Sequence, residues 1–167
     1  VDPPVKGEWA ILNPPGHPKL ALDLLATNGT RLPYRGAMFL RHLFGSIAVE
    51  DTFAWRQPVL APLDGVVVAC HDGELDRERI SMSRDLVRLL LFPPKPGAPF
   101  SAYGGNDVIL KCREVYPLMA HLRSGSICVT VGDAVRVGEQ LGEVGNSGSS
   151  LQPHLHFQVM TDENPFP

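Results

Sequence analysis

The segment "PVLAPLDGVVVACHDG", residues 58–73, shows the pattern that decides the fold. Its two apolar runs, separated by Asp64-Gly65, predict a strand, a turn and a second strand. Gly and Asp separate further apolar runs at intervals of about 8 to 12 residues, which is typical of β-sandwiches and barrels. We therefore predict a mainly β fold. The further predicted strands are "LALDLLA" (20–26), "NDVILKC" (106–112), "YPLMAHL" (116–122), "SICVTV" (126–131), "AVRVGEQLGEVG" (134–145) and "HLHFQVM" (154–160).

Two longer segments interrupt this series of strands. The apolar residues of the second segment predict one helix near 81–91, stopped by Pro93-Pro94. In the first segment, "AMFLRHLFG" favours a helical turn that ends at Gly45. With 167 residues the chain suits a single domain, 1–167, carrying insertions at about 24–56 and 73–103.

Composition excludes several classes of function. The net charge is −3 and no run of Lys and Arg is present, so nucleic acid is not an expected partner. Every apolar run is shorter than the roughly 20 residues of a membrane span, and no export signal is visible in the printed sequence. Cys70, Cys112 and Cys128 form no C-x-x-C pair and lie in apolar runs, so we expect buried strand thiols. Their redox state and the oligomeric state are left open.

Two histidines in "HLHFQVM" are candidates for a functional site. Because strand side chains alternate, His154 and His156 should point to the same face, with Leu155 in the opposite layer. An isolated H-x-H pair is equally compatible with two solvated histidines. The loop "GNSGSSLQP", residues 145–153, consists of small residues and is expected to leave open space in front of the strand.

Polar residues inside other apolar runs extend this set of candidates. Asp23 interrupts "LALDLLA", where an unpaired buried carboxylate is costly and a cation would remove the cost. His121 interrupts "LMAHL", as a hydrogen-bonded core histidine would also do. His17 lies in "GHPKLALD" between Gly16 and Pro18, so a turn there is needed to bring it back towards Asp23. A catalytic zinc needs about three protein ligands and one free position.

Taken together, these motifs resemble lysostaphin-like zinc metallopeptidases, which are peptidoglycan endopeptidases. The resemblance runs in patches from about residue 13 to 160 and is strongest over 106–160. It implies a duplicated hybrid motif (barrel-sandwich hybrid) β-fold, here with one helical insertion. The motifs that carry it, in family order, are "GHPKLALD", "VLAPLDGVVV", "LMAHL", "VGDAVRVGEQLGEVGNSG" and "PHLHFQV".

The resemblance also implies a role for each site residue. His17, Asp23 and His156 would be the zinc ligands, and His121 and His154 would be the unligated catalytic pair. Zinc would lower the pKa of a bound water, and the two histidines would orient that water, move its proton and stabilise the oxyanion. The substrate would be the peptide part of peptidoglycan, in an extracytoplasmic location.

The sequence departs from the family pattern at several positions. Five residues separate His17 from Asp23 where the family usually has three, and Met119 replaces a tyrosine common two residues before the central histidine. The insertions leave the cleaved bond and the openness of the groove undetermined. Four other candidates, which we expect in loops or turns outside the site, are His42, Asp51, His71 and Asp72.

Two other functions share this type of fold. The first is a non-catalytic cell-wall-binding or activator module, but such modules lose zinc residues and all five positions are filled here. The second is a lipoyl-type or phosphocarrier domain. No lysine lies in a hairpin turn of the required kind, and the terminal H-x-H does not suit the phosphocarrier.

Overall fold

The structure, a computed structural model, describes residues 2–13, 20–29, 32–36, 38–92, 95, 97–162 and 164–165. Within these residues the fold is mainly β, as predicted. The helices are α1 (Phe39–Phe44), α2 (Met82–Leu91) and α3 (Ser101–Gly104), with a 3-10 turn at Val49–Asp51. The strands are β1 (Trp9–Leu12), β2 (Ala21–Ala26), β3 (Ile47–Ala48), β4 (Pro58–Leu60), β5 (Gly65–His71), β6 (Arg79–Ile80), β7 (Asn106–Lys111), β8 (Tyr116–Leu122), β9 (Ala134–Val135), β10 (Gln140–Glu143) and β11 (Leu155–Met160).

The central element is an antiparallel sheet, which among the described residues has seven strands in the order β1-β2-β11-β8-β7-β5-β9. Two small sheets accompany it, β10 with β4 and β3 with β6. Strands β2 and β11 are far apart in sequence but adjacent in this sheet, and β8 flanks β11 on its other side. This order brings the N-terminal and C-terminal candidate residues together.

The central sheet has two different faces. One face packs into the main apolar core through alternate residues such as Leu24, Val108, Met119, Leu155 and Phe157. The core residue Leu155 therefore lies in the layer opposite the flanking histidines, as predicted. The other face carries a row of directly paired residues. Across β2, β11, β8, β7 and β5 they are Asp23, His156, Ala120, Asp107 and His71.

Most predicted strands and the main helix are present, but one strand prediction is wrong. Residues 126–131 form no strand. Cys128 N donates to Leu141 O of β10, but side-chain carboxylates take the N–H groups on either side of it. Asp72 Oδ2 accepts from Ile127 N at 3.3 Å, and Asp133 Oδ2 accepts from Thr130 N at 2.7 Å. Local carboxylates of this kind compete with strand pairing.

This local structure also corrects the prediction for the cysteines. Cys112 is buried, Cys70 is half-buried in β5, and Cys128 is exposed in the irregular segment. All three lie in the described part of the chain and are free thiols. The prediction of buried strand thiols is therefore wrong for Cys128.

The two helices of the insertions contact each other beside the small β3–β6 sheet. Helix α2 matches the helix predicted near 81–91, and α1 ends at Gly45, whose N–H donates to the carbonyl of Arg41. No helix in the described ranges is both long and apolar enough to cross a membrane. The assignment of 1–167 to one peptidase domain stays a prediction.

Candidate functional site

The site is built around a contact between two neighbouring strands. Asp23 on β2 and His156 on β11 are directly paired in the sheet, and His156 Nδ1 lies 2.9 Å from Asp23 Oδ1. Both residues are buried. The alternative that Asp23 is an exposed residue at a strand edge is therefore excluded.

His154 joins this pair from the residue before β11 begins. Its Nε2 lies 3.5 Å from the same Asp23 oxygen. The imidazoles of His154 and His156 therefore share one carboxylate, as strand alternation predicted. This arrangement excludes the alternative of two solvated surface histidines, since both side chains are buried.

His121 reaches the same face through an irregularity in β8. In the register of β7 with β8, Asn106 pairs with Leu122 and Asp107 pairs with Ala120, so His121 is an extra residue in a β-bulge. Its φ of +60° is in the left-handed region, which is uncommon for a residue other than glycine. Simple alternation would place this side chain opposite Ala120. The bulge instead turns the ring of His121 so that its centroid lies 4.7 Å from the ring centroid of His154 and 6.0 Å from that of His156.

Each imidazole has a carbonyl oxygen beside one of its nitrogens. Ser147 O accepts from His121 Nδ1 at 3.0 Å, and Gln152 O accepts from His154 Nδ1 at 2.8 Å. For His156 the acceptor is the side-chain oxygen of Gln158, 3.4 Å from Nε2. Because a carbonyl oxygen only accepts, it fixes which ring nitrogen carries the proton in the neutral form. For His121 the second nitrogen, Nε2, is then left with its lone pair, whereas the second nitrogens of His154 and His156 face the Asp23 carboxylate.

The charges in this cluster are strongly coupled. Burial alone would raise the pKa of Asp23, but hydrogen bonds and charge interactions with His154 and His156 lower it below its ordinary value. Burial lowers the pKa of His121, and the neighbouring His154 and His156 lower it further. His121 is therefore neutral at neutral pH, with Asp23 ionised.

The donor set fits a divalent cation. His156 Nδ1 and the ionised Asp23 oxygen lie 2.9 Å apart and share a proton, and a divalent cation could take the place of that proton. Neutral imidazole nitrogen and carboxylate oxygen are the ligands that zinc prefers in proteins. His17, the third predicted ligand, lies outside the described residues. Within the described residues alone, no group of three or more His, Cys, Asp and Glu side chains forms a metal site.

The loop before β11 holds the histidines and is not open space, contrary to expectation. Residues 145–147 and Ser150 are buried, and the carbonyls of Ser147 and Gln152 accept from the two histidines. Ser150 Oγ, which donates to Gln152 O at 2.6 Å, also lies 3.2 Å from His154 Nδ1. The small residues of this loop thus permit close packing.

Asn106 is a positioning residue that the sequence analysis missed. Its fully buried side chain accepts from the N–H groups of Gly73 and Glu74 and donates to the carbonyls of Glu74 and Leu122. Its backbone N–H donates to Ser147 Oγ, which in turn donates to Leu122 O. This network connects the end of β8, next to His121, to the loop that supplies its acceptor. The signal available in the sequence was an Asn at the start of the apolar run "NDVILKC".

The remaining candidate residues make their contacts outside this cluster. His42 is buried against Tyr34, with ring centroids 5.1 Å apart, and Asp51 supplies a backbone carbonyl to Arg35 N. Asp72 accepts from Gly125 N and Ile127 N. His71 Nε2 lies 3.8 Å from Glu74 Oε1, and His71 pairs with Asp107 in the sheet. Its strand, β5, is separated from the strand of His156 by β7 and β8.

Two comparisons with known proteins both find similarity to metallopeptidases. Residues 95–167 match the model of Peptidase family M23. The glycyl-glycine endopeptidase ALE-1 of Staphylococcus capitis is 37% identical over 59 residues, 35% of this chain. An uncharacterised metalloprotease of Buchnera aphidicola is 38% identical over 64 residues, 37% of this chain. The match spans 16% of the length of each of these relatives.

Solved structures extend the likeness in fold to nearly the whole chain. The catalytic domain of the prophage-encoded M23 protein EnpA from Enterococcus faecalis, solved as a point mutant, aligns with a TM-score of 0.55 at 16% identity. That alignment covers 99% of this chain and 89% of the other. The catalytic domain of lysostaphin from Staphylococcus simulans aligns with a TM-score of 0.50 at 19% identity. The alignment covers 92% of this chain and 74% of the lysostaphin domain. The predicted resemblance and the mainly β fold are confirmed.

Proposed function

We propose that this chain, which resembles lysostaphin-like peptidases of family M23, is a zinc-dependent endopeptidase. Its substrate would be an amide bond in the stem peptides or cross-bridges of peptidoglycan. The observation that carries the proposal is the convergence of Asp23, His121, His154 and His156 from separate parts of the chain on one buried cluster.

The roles of these residues follow from their positions. Asp23 and His156 are the proposed ligands, together with His17, because the carboxylate oxygen and the Nδ1 atom already lie 2.9 Å apart. When bound, zinc would lower the pKa of a water molecule and polarise the scissile carbonyl. Gln158, beside the other nitrogen of His156, orients that ring.

His121 and His154 are the proposed catalytic pair. The carbonyl of Ser147 accepts from His121 Nδ1–H, so this ring presents its Nε2 as a base. His154 has the carbonyl of Gln152 beside its Nδ1 and faces Asp23 through its Nε2. The ring of His121 is neutral at neutral pH because its pKa is lowered by burial, so it can accept a proton from the attacking water. Once protonated, such a ring can donate to the oxyanion or to the leaving amine.

Support for a cell-wall substrate is the 37% identity to a glycyl-glycine endopeptidase, together with the family match over the part of the chain that contains His121, His154 and His156. An extracytoplasmic location is part of the same proposal, since peptidoglycan lies outside the cytoplasmic membrane. Small residues such as Gly or Ala beside the cleaved bond would suit a narrow groove.

The test is the release of new amino groups from purified peptidoglycan by the zinc-loaded protein. We expect release by the parent and loss of at least about a hundredfold in His154→Ala, with zinc content unchanged. A parent that holds one zinc per chain but releases no amino groups from walls of several peptide types would instead indicate a binding or activator module. Release that persists in His154→Ala would contradict the assigned role.

A further inference from the structure

Helices α1 and α2 are amphipathic, but their apolar sides face solvent and their polar sides face the protein. A surface helix normally turns its apolar side to the core and its polar side to water. In α2 the charged Asp85 is buried, while Leu86, Val87, Leu90 and Leu91 are exposed on the other side, with Leu90 71% exposed. The exposed leucines and valine are spaced at i, i+1, i+4 and i+5, so they form one continuous apolar stripe.

Helix α1 shows the same reversal. His42 is fully buried, whereas Phe39, Leu40 and Phe44 are exposed, Phe44 to 77%. Phe92, the residue after α2, is also 77% exposed. Since α1 and α2 contact each other, these side chains extend the stripe into a larger apolar face. We call this the insertion face, and its members are Phe39, Leu40, Phe44, Leu86, Val87, Leu90, Leu91 and Phe92.

Polar contacts beneath the helices fix this orientation. Asp85 accepts from Arg77 Nη1 and from the backbone N–H of Ser81, and Arg88 Nε lies 3.9 Å from the same carboxylate. The charge of Asp85 also acts on His42 and opposes the lowering of its pKa by burial, so the polar sides of the two helices face each other. Rotating α2 to bury its leucines would break the Asp85–Arg77 ion pair and leave a largely buried guanidinium without its carboxylate.

The exposed charges within the two helical segments have one sign. Within 38–46 and 81–92 the exposed charged residues are Arg41 and Arg84, whereas Asp85 is buried and Arg88 has its Nε and Nη2 atoms buried beside it. This contrasts with the chain as a whole, whose net charge is −3. A face of leucine and phenylalanine with arginine at its edge is the pattern of a helix pair that lies in the interface of an anionic bilayer, with the arginines reaching the headgroups.

We propose that the insertion face binds the surface of an anionic phospholipid membrane, with α1 and α2 lying in the plane of the interface. Neither helix crosses the bilayer. The apolar side chains enter the boundary between headgroups and acyl chains, and Arg41 and Arg84 contact the phosphates. This inference is independent of the proposed peptidase activity, because it rests on residues outside the histidine cluster.

The test is cosedimentation of the purified protein with vesicles of phosphatidylcholine and phosphatidylglycerol, beside vesicles of phosphatidylcholine alone. We expect binding to the anionic vesicles that weakens at high salt, because screening removes the arginine contribution. Leu90→Glu combined with Leu91→Glu should reduce the binding at least about tenfold. Arg84→Gln should reduce it about fivefold, as one basic residue near an anionic surface contributes about that factor.

Leu75→Glu is the matched control, since Leu75 is 82% exposed and lies outside the insertion face. Its vesicle binding should equal that of the parent, and circular dichroism should show that every variant is folded. Failure of the parent to bind anionic vesicles would overturn the proposal, as would equal binding by the Leu90/Leu91 variant. A parent dimer that becomes monomeric in that variant would overturn it too, by showing that a second copy covers the face.

Discussion

His156 Nδ1 and Asp23 Oδ1 lie 2.9 Å apart across β11 and β2, although 133 residues separate them along the chain. The sheet register places them directly opposite each other, so strand pairing alone creates the contact. Cross-strand neighbours have β-carbons about 5 Å apart, which lets a carboxylate and an imidazole bind one ion. The carboxylate of Asp23 and the ring of His156 are therefore placed together by the fold itself.

The first prediction concerns metal affinity. Asp23→Asn keeps the shape of the side chain but removes the anionic ligand, so we expect zinc content to fall from about one per chain to near zero. Elemental mass spectrometry of the purified protein measures this directly. Glu114→Gln, which removes an exposed acid from the β7–β8 turn, should keep its zinc. Full zinc occupancy in Asp23→Asn would remove Asp23 from the proposed ligands.

The second prediction separates the two histidines of the H-x-H pair. His156→Ala should lose zinc, whereas His154→Ala should retain it, because we assign only His156 as a ligand. The same measurement on His121→Ala should show retained zinc with turnover lowered by about 10² to 10⁴, the range for loss of a general acid–base group. An empty metal site in His154→Ala would show that the pair is assigned the wrong way round.

The third prediction concerns Asn106, which connects β8 to the loop containing Ser147. Asn106→Ala removes four side-chain hydrogen bonds and leaves buried backbone groups unpaired, so it should lower the free energy of unfolding by about 2–4 kcal/mol. Denaturant unfolding provides the measurement. Asn28→Ala, at an exposed position, should change stability by less than about 0.5 kcal/mol. Similar stability of the two variants would contradict the importance of this network.

The fourth prediction is a pH dependence of stability at Asp107. This residue is only 6% exposed, and burial raises its pKa to about 6, while the charge of the adjacent His71 partly opposes the shift. A carboxyl whose pKa is raised by folding favours the protonated form, so stability is lost as the pH rises from about 4 through 6. The ionised group should therefore cost the fold about 2–3 kcal/mol above pH 6.

Asp107→Asn tests this, because asparagine has the same shape and does not titrate. The stability difference, variant minus parent, should increase by about 2–3 kcal/mol between about pH 4 and pH 8 in denaturant unfolding. Asp133→Asn, which changes an exposed acid, should show no comparable pH-dependent difference. A difference that is constant with pH would show that Asp107 titrates in the folded state as it does in the unfolded chain.

Part of this site could be read from local sequence pattern. The alternation of "HLHFQVM" was enough to put His154 and His156 on one face and Leu155 on the other, since strand geometry has a period of two. The costly position of Asp23 inside an apolar strand also signalled a partner. His121 was a candidate from its position inside "LMAHL", and the resemblance to a known family then supplied the roles, which remain proposals. His17 lies outside the described residues.

Other features could not follow from pattern alone. Alternation puts His121 on the face opposite Ala120, and only the bulge against β7 turns it into the cluster. The strand predicted at 126–131 is absent because the side-chain carboxylates of Asp72 and Asp133 take the N–H groups of Ile127 and Thr130. Helix α2 was predicted at the correct place, but its reversed orientation depends on buried contacts of Asp85 with Arg77, which periodicity cannot show.

The sequence by itself determined most of the strands, the spacing of the histidine pair and the resemblance to a known family, because these depend on short-range alternation, turns and motif order. The tertiary structure decided which residues meet: Asp23 with His156, His121 with His154, and Asn106 with the loop at Ser147. The physical reason is that strand order, register and bulges arise from the packing of the whole sheet. A contact between residues 133 positions apart is fixed by that packing and by no local preference.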